Sequence, residues 1–341
     1  MQSIQRGGQK LRDAIPNPVR EPLIRSLDRA KGCLLGLATG DALGTTLEFQ
    51  PRGSFEPIDN LVGGGPFGLR PGEWTDDTSL TICLARSLIS CAGFDPQDQA
   101  ERYLAWRETG QPGPRDYCFD IGNTTATALD RFRQTGDAFS GPDGAWSAGN
   151  GSLMRLAPVA LFWACDERTA VNFAGESSRV THGADEPIDA CRAYATFLVA
   201  ALRGCDRETI LATTPPQGPD ARPLSPAVLE VLQGSWRDKR MDEIRGSGYV
   251  VSSLEAAIWC FANTASYREA VLCAANLGED ADTTAAICGQ LAGAFYGASS
   301  IPASWKERVF MREEIELLAQ QLWTAATARH QGQTIRAKAL R

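Results

Sequence analysis

Four glycines, Gly32, Gly36, Gly40 and Gly44, recur at every fourth position of a helical pattern that starts at Leu27. Residues four apart share one face of an α-helix, so this helix carries a stripe without side chains. Glycine costs about 1 kcal/mol in a helix interior relative to alanine, and four in register require a compensating contact. The stripe predicts a buried central helix against which another backbone comes close. A membrane dimer of the G-x-x-x-G kind is the rival reading, but Lys31 and Asp41 leave the apolar run too short for it. A second helix, opening near Asp280, repeats Ala285, Gly289, Ala292 and Gly293 and expects the same kind of neighbour.

The rest of the chain shows the 3.6-residue period almost everywhere. Helices are expected at about 78–93, 97–108, from Asp120 through Phe132, in the apolar run 156–165, and at about 168–180, 185–203, 226–234, 253–264, 267–276 and 304–328. No run alternates as a strand would. The expectation is an all-α, compact multi-helix domain over 27–328, with a basic, proline-containing extension at 1–26 and a basic tail at 329–341 that frays. A chain of 341 residues supports a large core. A net charge of −7 and a pI near 5.1 argue against nucleic acid as a partner. No apolar signal region or bilayer-length run is present, which gives no membrane and a cytoplasmic reading. The ten cysteines form no C-x-x-C pair and read as small buried hydrophobes in a reducing compartment. Two histidines leave little room for a histidine-based zinc site.

Two acidic groups carry the chemistry. Thr75, Asp76, Asp77 and Thr78 lie where a long Gly/Pro-rich loop gives way to a helix, a position that suits either a helix cap or half of a metal site. A matching group, Asp280-Ala-Asp-Thr283, opens another apolar stretch and tips the reading towards a site. Four carboxylates brought together repel one another unless a cation lies between them. Thr75, Asp76, Asp77, Asp280, Asp282 and Thr283 offer hard oxygens only, which selects Mg²⁺ or Mn²⁺. Two such ions can activate a water and hold substrate oxygens, pointing to a hydrolase.

Other stretches are less decided. Gly63 to Gly68 match G-x-G-x-x-G, but no strand precedes them and two aspartates begin the next helix, so a dinucleotide reading is rejected. The loop 45–73, with Glu48 near its start, is expected to form a lid or rim. Asp120 reads locally as a cap. Gly149, Asn150, Gly151 and Ser152 suit either an anionic group at a helix start or a simple turn. His182 reads locally as a C-terminal cap or surface residue.

Taken in order, Gly40-Asp-Ala-Leu-Gly44, Glu73-Trp-Thr-Asp-Asp-Thr78, Phe119-Asp-Ile-Gly-Asn-Thr-Thr125, Gly149-Asn-Gly-Ser152, Thr181-His182 and Asn276-Leu-Gly-Glu-Asp-Ala-Asp-Thr-Thr284 resemble the ADP-ribosylglycohydrolase family, which includes the dinitrogenase-reductase-activating enzymes. The resemblance runs from about Leu27 to about Gly297. It implies an all-α fold around two Mg²⁺ or Mn²⁺ ions held by Thr75, Asp76, Asp77, Asp280, Asp282 and Thr283. It further implies Asp77, Asp120 and Glu48 as the catalytic carboxylates, Gly149 to Ser152 as the diphosphate site and His182 as a substrate contact. The implied activity removes ADP-ribose from protein side chains, arginine first, with serine-linked or small-molecule conjugates as alternatives. A different class of reading makes the chain an immunity-type protein whose N-terminal arm also blocks an ADP-ribosyltransferase toxin.

Overall fold

The glycine stripe is buried against a second glycine-bearing helix. In the computed structural model, which describes residues 20–144, 146–216 and 222–339, the stripe lies on α1 (Arg20–Gly44) and faces α12 (Ala281–Tyr296). A Cβ built on Gly32, Gly36, Gly40 or Gly44 would meet the carbonyl oxygen of Gly293, Gly289, Ala285 or Ala281 at 2.2, 2.4, 2.2 and 2.3 Å. As the α1 position rises by four the α12 position falls by four, so the helices run antiparallel in one register. On the other side, a Cβ on Gly289 or Gly293 would lie 2.2 or 1.9 Å from the carbonyl oxygens of Gly36 or Gly32. Both helices are buried along the shared stretch, as expected for helices that are apolar on nearly every face.

Around this pair stand α2 (Asp76–Ser90), α3 (Pro96–Thr109), α4 (Asn123–Thr135), α5 (Ala157–Phe162), α6 (Glu167–Arg179), α7 (Asp185–Leu202), α8 (Arg207–Ala212), α9 (Pro226–Leu232), α10 (Val250–Ala262), α11 (Tyr267–Ala275), α13 (Ala303–Lys306) and α14 (Arg312–Ala339). Among the described residues there is no β-strand, only two isolated bridges, Gly64 with Leu69 and Gly149 with Tyr249. The fold is all-α. One contiguous apolar cluster extends from Ala30 to Ala326, and α1 contacts α2, α5, α7, α11, α12 and α14 within it. No helix among the described residues is long and apolar enough to cross a membrane.

Outer helices start as local rules predict. Asp95, Asp166, Asp206 and Ser266 each accept a backbone N–H of the first turn of α3, α6, α8 and α11.

Several boundaries differ from the sequence reading. The first helix begins at Arg20 rather than Leu27, because Pro22 falls in the first turn, where a missing N–H costs nothing. Of the basic extension, residues 1–19 lie outside the described residues. The helix expected at 304–328 divides into α13 and a longer α14. That helix does not fray at 329: the Arg329 guanidinium lies 3.5 Å from the centroid of the Phe162 ring and donates to the Phe162 carbonyl. The apolar run 156–165 yields only the short α5, with turn bonds from Ala164 N to Leu161 O and Asp166 N to Trp163 O closing it.

Gly289→Ala forces a Cβ into a backbone carbonyl that cannot rotate away, so it is expected to destabilise the fold by about 1–3 kcal/mol or more. Gly93→Ala, whose added Cβ meets nothing nearer than 3.9 Å, is expected to stay within about 0.5 kcal/mol. Denaturant melts of the two variants check this, and equal stabilities would contradict the contact.

Candidate active site

The antiparallel register brings the end of α1 beside the start of α12, where Gly44 packs on Ala281 and Asp282. Asp41, one turn before Gly44, then captures a third terminus. Its carboxylate accepts from Thr75 N (2.9 Å), Thr75 Oγ1 (2.9 Å), Thr78 N (3.0 Å) and Thr78 Oγ1 (2.6 Å). Thr75 makes no side-chain cap of its own. The start of α2 is therefore capped by a residue 34 positions earlier in the chain; of the two readings of Thr75 to Thr78, the cap falls to Asp41 and not to Thr75 itself. Sequence reasoning gave Asp41 no role. The available signal was a lone carboxylate in the otherwise uncharged stretch 32–44, which has to find donors when buried.

With Asp41 doing the capping, the other carboxylates turn inward. Asp77 and Asp282 are 0% and 2% exposed, so their partners have to come from the protein or a bound cation. Thr75 Oγ1 gives its single proton to Asp41, yet lies 3.4 Å from both Asp77 Oδ2 and Asp282 Oδ2. Thr283 Oγ1 reaches Asp77 Oδ2 at 3.3 Å. Asp77 Oδ1, Asp282 Oδ1 and Asp120 Oδ2 are buried and accept no hydrogen bond. Oxygens that face one another without protons, together with orphaned carboxylate oxygens, form a donor set that fits a hard divalent cation. One oxygen from each of Glu48, Asp120 and Asp282 also falls within 4.8 Å of the others. The acidic cluster can thus hold a metal.

A cavity of about 960 Å³ opens above the cluster, within the range of small-molecule sites. Glu48, Asp76, Asp120, Asp280, Asp282 and Thr283 line it; Thr75 and Asp77 are fully buried and do not. Three of the lining residues, Phe49, Asp120 and Glu279, have φ of 61°, 59° and 60°. Non-glycine residues in the left-handed region are uncommon and cluster at functional sites. Asp120 precedes α4 but does not cap it; Gly122 is the N-cap residue and makes no side-chain bond. Asp280 likewise stands at the start of α12 without a cap bond, and Asn150 Nδ2 donates to its Oδ2 at 2.7 Å. The loop carrying Glu48 is a fixed rim: Phe49 N donates to Glu279 O at 2.7 Å, Glu279 N to Gln50 O at 2.8 Å, and Asn276 pairs with both backbone groups of Ile58.

The glycine loop does not open a helix directly. Residues 151–155 form successive turns before α5, and Gln290 Nε2 on α12 holds the Met154 carbonyl at 2.7 Å. Gly149, Asn150 and Gly151 line the cavity, with the Asn150 N–H already given to Gly248 O. Ser152 faces away from it, accepting from Ser178 Oγ at 2.8 Å. His182 is 2% exposed, not a surface residue, and its ring lines the cavity beneath Gly149 and Gly151. The segment Cys118–Thr125, Met154, Ser247 and Gly248 also contribute walls; of these, only the stretch from Phe119 to Thr125 carried a sequence signal.

Electrostatics follow from crowding. Burial, then the neighbouring Asp120, pushes Glu48 up to about 10. Burial, then Asp282 and Asp76, pushes Asp120 up to about 11. Glu48 and Asp120 each bring a carboxylate oxygen within 4.8 Å of the other, and the charge of Asp120 raises the pKa of Glu48. Burial raises Asp41 to about 6 against the opposing hydrogen bonds from Thr78 and Thr75. Asp76, Asp77, Asp280 and Asp282 are all raised, burial first and, except at Asp280, like charges next.

Comparison with known proteins gives consistent relatives. A family profile described as ADP-ribosylglycohydrolase matches residues 22–332. The chain is 45% identical over 302 residues to the ADP-ribosylarginine hydrolase Tri1 of Pseudomonas putida (strain GB-1), spanning 89% of this chain and 80% of that protein. It is 30% identical over 299 residues to the ADP-ribosyl-[dinitrogen reductase] glycohydrolase of Rhodospirillum rubrum, spanning 86% and 94%. A solved structure of an ADP-ribosylglycohydrolase-related protein complex superposes with a TM-score of 0.78 at 41% identity, covering 89% of this chain and 99% of that one.

Carboxyl groups whose folded pKa lies above the unfolded value bind protons more readily in the folded state, so stability falls as pH rises towards the folded pKa. Asp41 at about 6 and Glu48 and Asp120 at about 10 and 11 place this loss across the neutral range. Chelator-treated protein is expected to show a falling Tm from about pH 5 to about pH 8, with millimolar Mn²⁺ restoring more at the upper end. A Tm that rises with pH in chelator would contradict the crowded cluster.

Proposed function

The chain belongs to the ADP-ribosylglycohydrolase family and is an ADP-ribosyl hydrolase, and from that premise we propose that it removes ADP-ribose from modified arginine on a protein. The relative at 45% identity is named an ADP-ribosylarginine hydrolase, which supports arginine over serine or a small-molecule conjugate. The observation that carries the reading is the meeting of two acidic groups, some two hundred residues apart in sequence, around buried oxygens with no partner.

Thr75, Asp76, Asp77, Asp280, Asp282 and Thr283 would hold one or two Mg²⁺ or Mn²⁺ ions. The chemistry such cations supply is polarisation of a water and of ribose oxygens at neutral pH. The protein's own residues account for the rest. Gly149 and Gly151 form a floor without side chains for the diphosphate, braced from behind by the Ser152–Ser178 bond, with His182 beside it. Glu48 and Asp120 flank the ribose, and a carboxyl group whose pKa is raised by burial and crowding can hold a proton there and pass it on. Hydrolysis breaks the bond from the anomeric carbon to the guanidine nitrogen and forms one to water oxygen. One carboxylate takes the water proton, and the departing guanidine gains one. Asp77, beneath them, keeps negative charge near the developing oxocarbenium centre.

Incubation with arginine- and serine-ADP-ribosylated proteins in Mg²⁺ or Mn²⁺, following free ADP-ribose, tests the assignment. Release from arginine is expected, and release from serine alone would sink it. Asp282→Ala is expected to abolish calorimetric Mn²⁺ binding, and Asp120→Asn to lower kcat about 10²- to 10⁴-fold.

A further inference from the structure

Behind the glycine loop lies a guanidinium with no ion-pair partner in hydrogen-bond contact. Arg155 is 1% exposed and is the only buried arginine or lysine among the described residues. Its guanidinium lies 4.7 Å from the centroid of the Tyr103 ring. Nη1 donates to Gly151 O at 2.7 Å and Nη2 to Thr181 Oγ1 at 2.7 Å. The same threonine oxygen lies 2.8 Å from His182 Nδ1. Arg155 therefore touches the backbone of the glycine loop with one nitrogen and, through one hydroxyl, the imidazole beneath that loop with another.

The direction of the protons follows from the chemistry of the groups. A guanidinium can only donate, so Thr181 Oγ1 accepts from Arg155. Thr181 is 0% exposed, and these two contacts are its only side-chain hydrogen bonds among the described residues. Its one hydroxyl proton must therefore go to His182 Nδ1; a proton on Nδ1 would leave the hydroxyl proton buried without an acceptor. Burial, reinforced by the charge of Arg155, holds the imidazole pKa down at about 3, so the ring is neutral at physiological pH. The other nitrogen, Nε2, faces the loop: a Cβ on Gly149 or Gly151 would lie 3.3 or 3.2 Å from it. No described residue accepts a hydrogen bond from Nε2.

We propose that Arg155 and Thr181 are positioning residues that fix His182 with its proton on Nε2, as an uncharged donor to an anionic oxygen held over Gly149 and Gly151. The ligand half of this statement rests on the proposed ADP-ribose site; the proton arrangement does not. The device delivers a donor to a diphosphate without adding a second buried cation. Arg155 keeps its own charge behind the loop, where the same guanidinium orients the Gly151 carbonyl away from the anion.

The chain has two histidines, so a His330→Gln background leaves one imidazole for ¹⁵N NMR. In ligand-free full-length protein at neutral pH, Nδ1 is expected to resonate as an unprotonated nitrogen and Nε2 as a protonated one. Added ADP-ribose should shift the Nε2–H signal. Thr181→Val is expected to move the Nδ1 resonance away from the wild-type position and to raise KM several-fold, with kcat changing less. Thr181→Ser should restore both. A proton on Nδ1 in the wild type, or wild-type imidazole resonances in a folded Thr181→Val protein, would overturn the relay. Calorimetric binding of ADP-ribose that leaves Nε2–H unmoved would overturn the donor role. The expected tautomer in a protein that binds no ADP-ribose would instead count against the proposed function while upholding the relay.

Discussion

Everything at the candidate site depends on one contact without side chains. Where Gly32, Gly36, Gly40 and Gly44 meet the carbonyls of Gly293, Gly289, Ala285 and Ala281, backbone packs on backbone. Side chains in such a contact could repack and allow one helix to slide on the other; two backbones in register cannot. The ends of the pair are therefore fixed relative to each other. One turn of α1 before that end carries Asp41, whose carboxylate ties down the first turn of α2. Three helix termini are thus held at one point by a steric constraint and a single carboxylate.

That rigidity explains how the protein tolerates a local arrangement no isolated set of residues would adopt. Buried carboxylates are crowded until their pKa values rise, and Phe49, Asp120 and Glu279 take left-handed backbone conformations around the same cavity. The paired backbone bonds between Phe49 and Glu279 and between Glu279 and Gln50 lock two of those residues against each other. The crowded carboxylates and three left-handed residues gather at the site, while α3, α6 and α8 are capped by ordinary local rules. The contrast itself marks the site. Asp95, Asp166 and Asp206 bond to their own helices; Asp120 and Asp280 stand at helix starts and do not.

Much of this was legible in the chain. Helical periodicity located most of the helices because it is written within a few turns of each one. Glycine at every fourth position required a close backbone neighbour, whatever its identity. The restriction to aspartate, glutamate and threonine oxygens at two separated motifs pointed to hard-cation chemistry before any coordinates. Boundaries were less legible. The prolines of residues 1–26 read as an extension, although Pro22 in the first turn breaks no helix bond, and the basic residues after 328 gave no hint that Arg329 would stack on Phe162.

The amino-acid sequence alone established an all-α chain, a helix that had to be buried along a bare stripe, and the candidate residues for the chemistry. Where each of those residues sits, and what it touches, came from the tertiary packing. It gave the capping of α2 to Asp41, turned Ser152 away from the cavity, set the Asp120 carboxylate into the site and placed Arg155 and Thr181 behind His182. The reason is physical. Periodicity and propensity are properties of neighbouring residues, whereas a hydrogen bond between Asp41 and Thr75, or the approach of Thr75 to Asp282 across 207 positions, exists only once packing has fixed where distant helices end.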